Sequence, residues 1–363
     1  VAQPWAPDMS APTYHVDGQI DDEVYVFGSF IQSKMFHKGV KCADCHDPHT
    51  ARTYVKGNQL CMRCHSPKPA NLTLYDSPAH HFHPMGTKGA QCVECHMPEK
   101  TYMVVDPRRD HSIRIPRPDL SLKYGTPNAC NQCHEDKDAA WAAAKVEEFK
   151  GPNRPREVRH PEAFHAFRNR KPEAEKLLLD TVRDLESPAF TRSGALLALR
   201  RFLGPASFAE ARTRASDPDP VMRVAAINTL ENLPDNELKQ SLGSLLNDPI
   251  LSVRTEAARV LSRLPSLTFT PEEKKQFDIA FRELKARFLS NLDRPEANLS
   301  LGNLAENQGN PREAERYYKA AIEREETFVP ARMNLATLLN RRGRNRDAEK
   351  LLRQVVRLEP EWG

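Results

Sequence analysis

One five-residue pattern, Cys-x-x-Cys-His, occurs four times in the first third of the chain, at residues 42–46, 61–65, 92–96 and 130–134. The chain has eight cysteines, and all eight lie in these motifs. Two thiols two residues apart can add to the two vinyl groups of one porphyrin. The histidine directly after the second thiol is then held beneath the iron as its proximal ligand. The spacing therefore predicts four covalently bound haem c groups. Cys42, Cys45, Cys61, Cys64, Cys92, Cys95, Cys130 and Cys133 would attach them, and His46, His65, His96 and His134 would ligate the irons. Other readings of paired cysteines fit less well. A zinc ribbon does not need a histidine after each second cysteine. A thioredoxin-like pair needs a surrounding βαβ pattern, which is not visible. A disulfide framework has no use for this spacing.

The 363 residues allow two or three domains. The formal net charge of +4 comes from mixed rather than blocked charges, which argues against nucleic acid as a partner. Bound haems add propionates and shift the balance toward negative. No run of about 18 apolar residues exists, so no membrane span is expected. Val1 is not an initiator methionine. Haem is attached to this motif outside the bacterial cytoplasm, so an exported chain, periplasmic or extracellular, with its signal already removed, is expected.

Taken in order, the chain reads as mainly α: a loop-rich tetrahaem cytochrome c domain over 1–150, then a helical repeat solenoid. A short helix is expected from Asp21 toward Met35. Residues 42–134 hold many Pro and Gly and few apolar runs. Loops and short helices packed on porphyrin faces are expected there, with the haems supplying much of the core. Residues 115–128 read as a linker, Trp141 to Phe149 as a helix, and Gly151 to Pro161 as a Pro/Arg-rich separator. Over 160–266, Arg192, Arg223 and Arg254 recur every 31 residues, as do Ala195, Ala226 and Ala257, and Leu199, Leu230 and Leu261. This suggests HEAT-like units of two antiparallel helices, with Asp217-Pro218 and Asp248-Pro249 opening two of them; the period is shorter than the about 40 residues usual for HEAT. Over 267–363 the period becomes 34, in Ala297/Ala331, Leu301/Leu335, Leu304/Leu338, Gly309/Gly343 and Ala314/Ala348. That is the tetratricopeptide period. Thr270-Pro271-Glu272-Glu273 has capping-box spacing with Pro at the first helical position. The chain given ends on Glu359-Pro360-Glu361-Trp362-Gly363, a cap or a cut within a longer array.

The sixth ligands decide the chemistry. A second imidazole closes an iron and suits it to electron transfer, whereas a missing one leaves it open to substrate. Nine further histidines exist, and seven lie at or before residue 111. His37, His49, His83 and His111 are the expected distal ligands. His49 is too close to its own haem and would serve a neighbour. His80 and His81 are rivals of His83 within one cluster, and His15 is a spare. His160 and His165, near the repeat boundary, read as structural. Arg108, Arg109 and Arg114 either bridge to propionates or form a solvated basic turn. Phe36, Tyr54, Phe82 and Tyr102 are candidates to pack on porphyrins.

The run Tyr14 to Ile20, the block His37 to His49, Cys95-His96-Met97-Pro98 and Asp106 to Ser112 resemble multihaem c-type cytochromes with doubled C-x-x-C-H motifs and C-terminal HEAT-like and tetratricopeptide repeats. Members of that family are often longer and carry further motifs upstream. The resemblance implies electron transfer more firmly than any reaction. The expected function is thus an electron carrier, not an enzyme, with four closely spaced and mostly bis-histidine haems. The repeats would dock a redox partner protein or neighbouring copies of the chain, in one version building an extracellular filament in which His15 completes a haem of the next copy. The rival is a multihaem reductase of a nitrogen or sulfur oxyanion with one open haem. A second rival is a non-redox scaffold in which the repeats do the main work.

Overall fold

The computed structural model describes residues 9, 13–22, 24–66, 74–102, 104–152, 160–265 and 268–360. Glu23, most of the Pro/Arg-rich separator and the terminal Glu361-Trp362-Gly363 lie outside these. The chain is mainly helical, with one two-stranded sheet among the described residues. It divides into two compact units, one running up to Glu210 and the other from Ala211 onward.

In the first unit the motifs sit on short turns of helix. Cys42–Cys45, Asn58–His65 and Cys92–His96 are α-helical, and Cys130–Gln132 is a 3₁₀ turn. A C-x-x-C pair needs only one helical turn to bring both thiols to one side, and no motif helix continues past its histidine. The helix expected to run toward Met35 is split into Val26–Phe30 and Lys34–His37, the latter capped by Ser33 accepting from the Phe36 amide. The stretch 115–128 is more than a linker. Pro118 opens a helix, Pro118–Tyr124, that buries Leu120 and ends on Gly125 in the left-handed conformation. The helix expected at Trp141 runs Ala139–Lys150, with Asp138 accepting from the Trp141 amide. A hairpin not anticipated from the sequence pairs Glu99–Tyr102 with Asp106–Arg109 in antiparallel register, Glu99 opposite Arg109. Its strands are short and mostly polar, so no alternating apolar pattern marks them.

Between residues 42 and 134, the buried apolar side chains among those described are Ala90, Tyr102, Pro118 and Leu120. The dense core of this unit lies instead in the helices from Pro161 to Arg201, around Phe164, Leu178, Val182, Phe190 and Leu196. The N-terminal loop is anchored there. Tyr14 and Ile20 form a bridge that closes a turn on Gly18, whose φ of 85° suits glycine. Tyr14 meets Phe190 edge-on, with ring centres 5.2 Å apart. Buried Asp17 accepts from Gln19, and its carbonyl accepts from Arg114 Nη1 at 3.0 Å.

The second unit is built of antiparallel helix pairs. The 31-residue arginine repeat has a mechanical origin. Arg223 forks onto Asp248 (Nε–Oδ2 2.8 Å, Nη2–Oδ1 3.0 Å) while its Nη1 donates to the Asp217 and Pro218 carbonyls. Arg254 repeats the arrangement one unit on, forking onto Glu283 and donating to the Asp248 and Pro249 carbonyls. Arg223 and Arg254 thus each satisfy the turn that opens their own unit and clasp the next. Helix Pro271–Leu289 begins with the anticipated capping box, in which Thr270 accepts from the Glu273 amide and Glu273 accepts from the Thr270 amide. The helices Pro295–Asn307, Pro311–Arg324, Val329–Arg341 and Asn345–Leu358 form two pairs at the 34-residue period. Their core centres on Tyr318, packed with Leu335, Leu338 and Leu339. The small residue Gly302 admits the Tyr318 ring, which a Cβ there would strike.

Candidate cofactor-binding site

All eight cysteines are free, and no disulfide draws on them. The motifs neighbour one another in chain order. Arg63 Nη1, in the second motif, donates to the Asp44 carbonyl of the first at 2.8 Å. The Cys45 thiol is pushed up by burial and by the nearby thiols of Cys61 and Cys64. The Cys61 and Cys92 thiols hydrogen-bond each other, which lowers Cys61 to about 7 and raises Cys92. Asn58 ties the same two motifs together, accepting from the Cys92 amide at 2.9 Å and donating to the Ala90 carbonyl at 2.8 Å. Burial pushes Cys95 up to about 11, with Cys130 and Cys133 of the fourth motif adding to it.

Three of the four motif histidines face a histidine from elsewhere in the chain. His46 and His111 have ring centres 6.3 Å apart, His96 and His80 6.2 Å, and His134 and His83 6.1 Å. Two imidazole nitrogens each about 2 Å from a shared metal put the ring centres about 6 Å apart. That separation also suits an ordinary ring contact. Four of the six rings are further distinguished by how their nitrogens are committed. Nδ1 of His46 meets the Ala51 carbonyl at 2.8 Å, that of His96 the Arg114 carbonyl at 2.8 Å, and that of His111 the Arg109 carbonyl at 2.8 Å. Nδ1 of His83 meets the His81 carbonyl. A carbonyl can only accept, so in these four rings Nδ1 carries the proton and Nε2 keeps its lone pair, the tautomer that ligates a metal; His80 differs, its Nδ1 facing the Lys150 ammonium at 3.4 Å. Burial lowers His96 and His111, and it lowers His80 to about 4 with help from Lys150. All three are neutral at neutral pH, as ligation requires. Among the described residues, no group of three or more His, Cys, Asp or Glu side chains could hold a metal ion. The donor sets are pairs of imidazoles beside pairs of thiols, and this fits a porphyrin iron better than zinc.

Local backbone explains the placement. The loop after His46 folds back because Asp47 Oδ1 accepts from the His49 and Thr50 amides, which brings the Ala51 carbonyl under the His46 ring. His96 and Arg114 bond reciprocally, amide to carbonyl and ring to carbonyl. The helix Pro78–His81 stops at Phe82, whose φ of 58° turns the chain, so His80 and His83 reach two different motif histidines.

Of the anticipated distal ligands, His111 and His83 face motif histidines, and so does the alternate His80. His37 sits against Phe36 and His49 is exposed; neither ring meets another histidine. His81 accepts the His83 amide at Nδ1 (3.2 Å), which makes Nε2 its protonated nitrogen. His15 Nε2 lies 3.2 Å from Asp21. His160 is buried and His165 packs on Tyr124. The fourth motif histidine, His65, meets the ring of Tyr75, edge-on at 5.9 Å. The three arginines around His111 are taken by protein groups, a third outcome beside the two anticipated: Arg108 by Asp106 (2.6 Å), Arg109 by Glu94 (2.6 Å), and Arg114 by the Asp17 carbonyl and Ser112 Oγ (2.8 Å). Of the aromatics, Phe36, Tyr54 and Phe82 are exposed, whereas Tyr102 is buried, and its hydroxyl is raised to about 12 by burial.

A family model of the tetratricopeptide repeat matches residues 306–362. No curated protein and no solved structure matches the chain. Such repeats commonly mediate protein–protein contacts. No described helix is long and apolar enough to cross a membrane.

Proposed function

We propose that the chain is an exported, multihaem c-type cytochrome that carries electrons, with helical repeats that dock a redox partner or neighbouring copies. The observation that carries this reading is the set of three paired imidazoles, each pair including the histidine of a C-x-x-C-H motif. Cys42/Cys45, Cys61/Cys64, Cys92/Cys95 and Cys130/Cys133 would tether the four groups. His46 with His111, His96 with His80, and His134 with His83 would hold three irons from both sides. Bound iron then supplies reversible one-electron chemistry, and two imidazoles keep it closed to substrate. The chain's own part is to fix the rings of His46, His83, His96 and His111 by their Nδ1 bonds and to set consecutive sites side by side. Adjacent sites in chain order suit stepwise transfer along the row. The repeats add the partner surface.

The test is haem content and spin state of the purified chain. Four haems that stay attached through denaturation, with at least three low-spin bis-imidazole signals in the oxidised protein, are expected. Zinc in place of iron, or fewer than four covalent haems, overturns the reading.

A further inference from the structure

The second motif is built unlike the other three. His46, His96 and His134 each face an imidazole at 6.1–6.3 Å. The ring against His65 is a phenol, that of Tyr75, perpendicular to it at 5.9 Å. Tyr75 also stands edge-on to His80 at 5.1 Å, so it separates His65 from the imidazole that serves the neighbouring site. All thirteen histidines of the chain are among the described residues, and each is accounted for. Six form the three pairs. His81 carries its ring proton on Nε2, and His15 is held by Asp21. His160 is buried and hydrogen-bonded to the Asp17 backbone, and His165 is against Tyr124. His37 and His49 are exposed, with no imidazole beside them. His65 itself is exposed, as is Tyr75 at 45%, so the site is reachable from solvent.

We propose that the second site, Cys61, Cys64 and His65, is a ligand-binding centre. His65 would hold an iron that has no second imidazole at hand, so the site would take a small exogenous donor through carbon or nitrogen, with Tyr75 beside it. A neutral phenol is a poor ligand for iron compared with imidazole, but its hydroxyl is a hydrogen-bond donor. This inference rests on the cytochrome reading above and assigns a second activity within it. Three sites conduct, and the second binds.

The test uses the full chain with its covalent haems, and cyanide as the probe. Haem content is measured first. Four haems per chain uphold the parent reading, and fewer overturn it whatever the cyanide titration gives. The oxidised protein is then studied by electron paramagnetic resonance and titrated with cyanide. One high-spin haem in four, and uptake of one cyanide per chain with conversion of that signal to low spin, are expected at every protein concentration. Four low-spin haems with no cyanide uptake overturn the inference and leave the carrier intact. A variant with Cys61→Ala, Cys64→Ala and His65→Ala locates the centre. Loss of both the high-spin signal and the cyanide equivalent, with three low-spin haems retained, is the expected result. A high-spin signal that survives in this three-haem variant places the open iron elsewhere and overturns the assignment. Should that variant not fold, the wild-type titration decides alone.

Discussion

On the proposed reading each distal imidazole would act as a single residue on a single iron, and its removal would be read at one site. His111→Ala, His80→Ala and His83→Ala are each expected to turn one low-spin haem of the four into a high-spin one, seen by electron paramagnetic resonance. His49→Ala, whose ring is exposed and faces no motif histidine, should leave the spectrum unchanged. The buried His160 makes a different prediction. Its imidazole is lowered to about 4, chiefly by burial, with the Asp17 backbone opposing. A base held below its unfolded value of about 6.5 stays neutral in the fold. Its contribution is therefore intact above that value and is lost as pH falls toward 4, by up to about 3 kcal/mol. Melting temperatures measured across this window should fall with pH, and His160→Leu should flatten the slope. At this scale the sequence was half legible. The eight thiols and the four histidines proposed as proximal ligands follow from spacing within five residues. The distal set does not, because the partner of His46 is chosen by tertiary folding. The sharing of His80 and His83 between two sites likewise depends on the left-handed turn at Phe82, which no local preference announces.

Helices and turns carry the next level. The arginine clasps predict graded losses. Arg223 and Asp248 are both largely buried (side chains 11% and 7% exposed), so Arg223→Ala strands a buried carboxylate and should cost about 3 kcal/mol. Arg254 and Glu283 are more open (23% and 34%), and Arg254→Ala should cost less, about 1 kcal/mol. Urea denaturation followed by circular dichroism would rank them, and equal losses would contradict the account. Gly302→Ala is expected to destabilise the last repeats by about 1–3 kcal/mol, since the new methyl meets the Tyr318 ring in a filled core. The repeats were legible because each unit packs mainly on the next, so the physical period is also the sequence period. The hairpin at Glu99–Arg109 and the helix at Pro118–Tyr124 were not. The first is too short and polar to show alternation, and the second lies in a Pro-rich stretch whose proline opens a helix instead of preventing one.

Over the whole molecule, apolar burial is unevenly shared. The helices from Pro161 onward bury dozens of aliphatic and aromatic side chains, whereas Ala90, Tyr102, Pro118 and Leu120 are the apolar ones buried between residues 42 and 134 among those described. A chain unable to attach haem, with all eight cysteines changed to alanine, should therefore keep most of its far-ultraviolet helical signal. Limited proteolysis should cut it within 42–134, while the haem-loaded chain resists there. Resistance of the haem-free chain would mean that the segment has a core of its own.

The pairing of the histidines also sets a timetable. His80 and His96 close the shortest loop of the three pairs, His83 and His134 a longer one, and His46 and His111 the longest. Loop closure becomes harder only slowly with length, yet it orders the events. As the polypeptide emerges, the first motif is synthesised before the others, but its second imidazole arrives after the third motif has already been completed. On the proposed reading, the first haem to be attached would thus stay open until after the third site can close, and until then it would be the exposed end of an unfinished assembly.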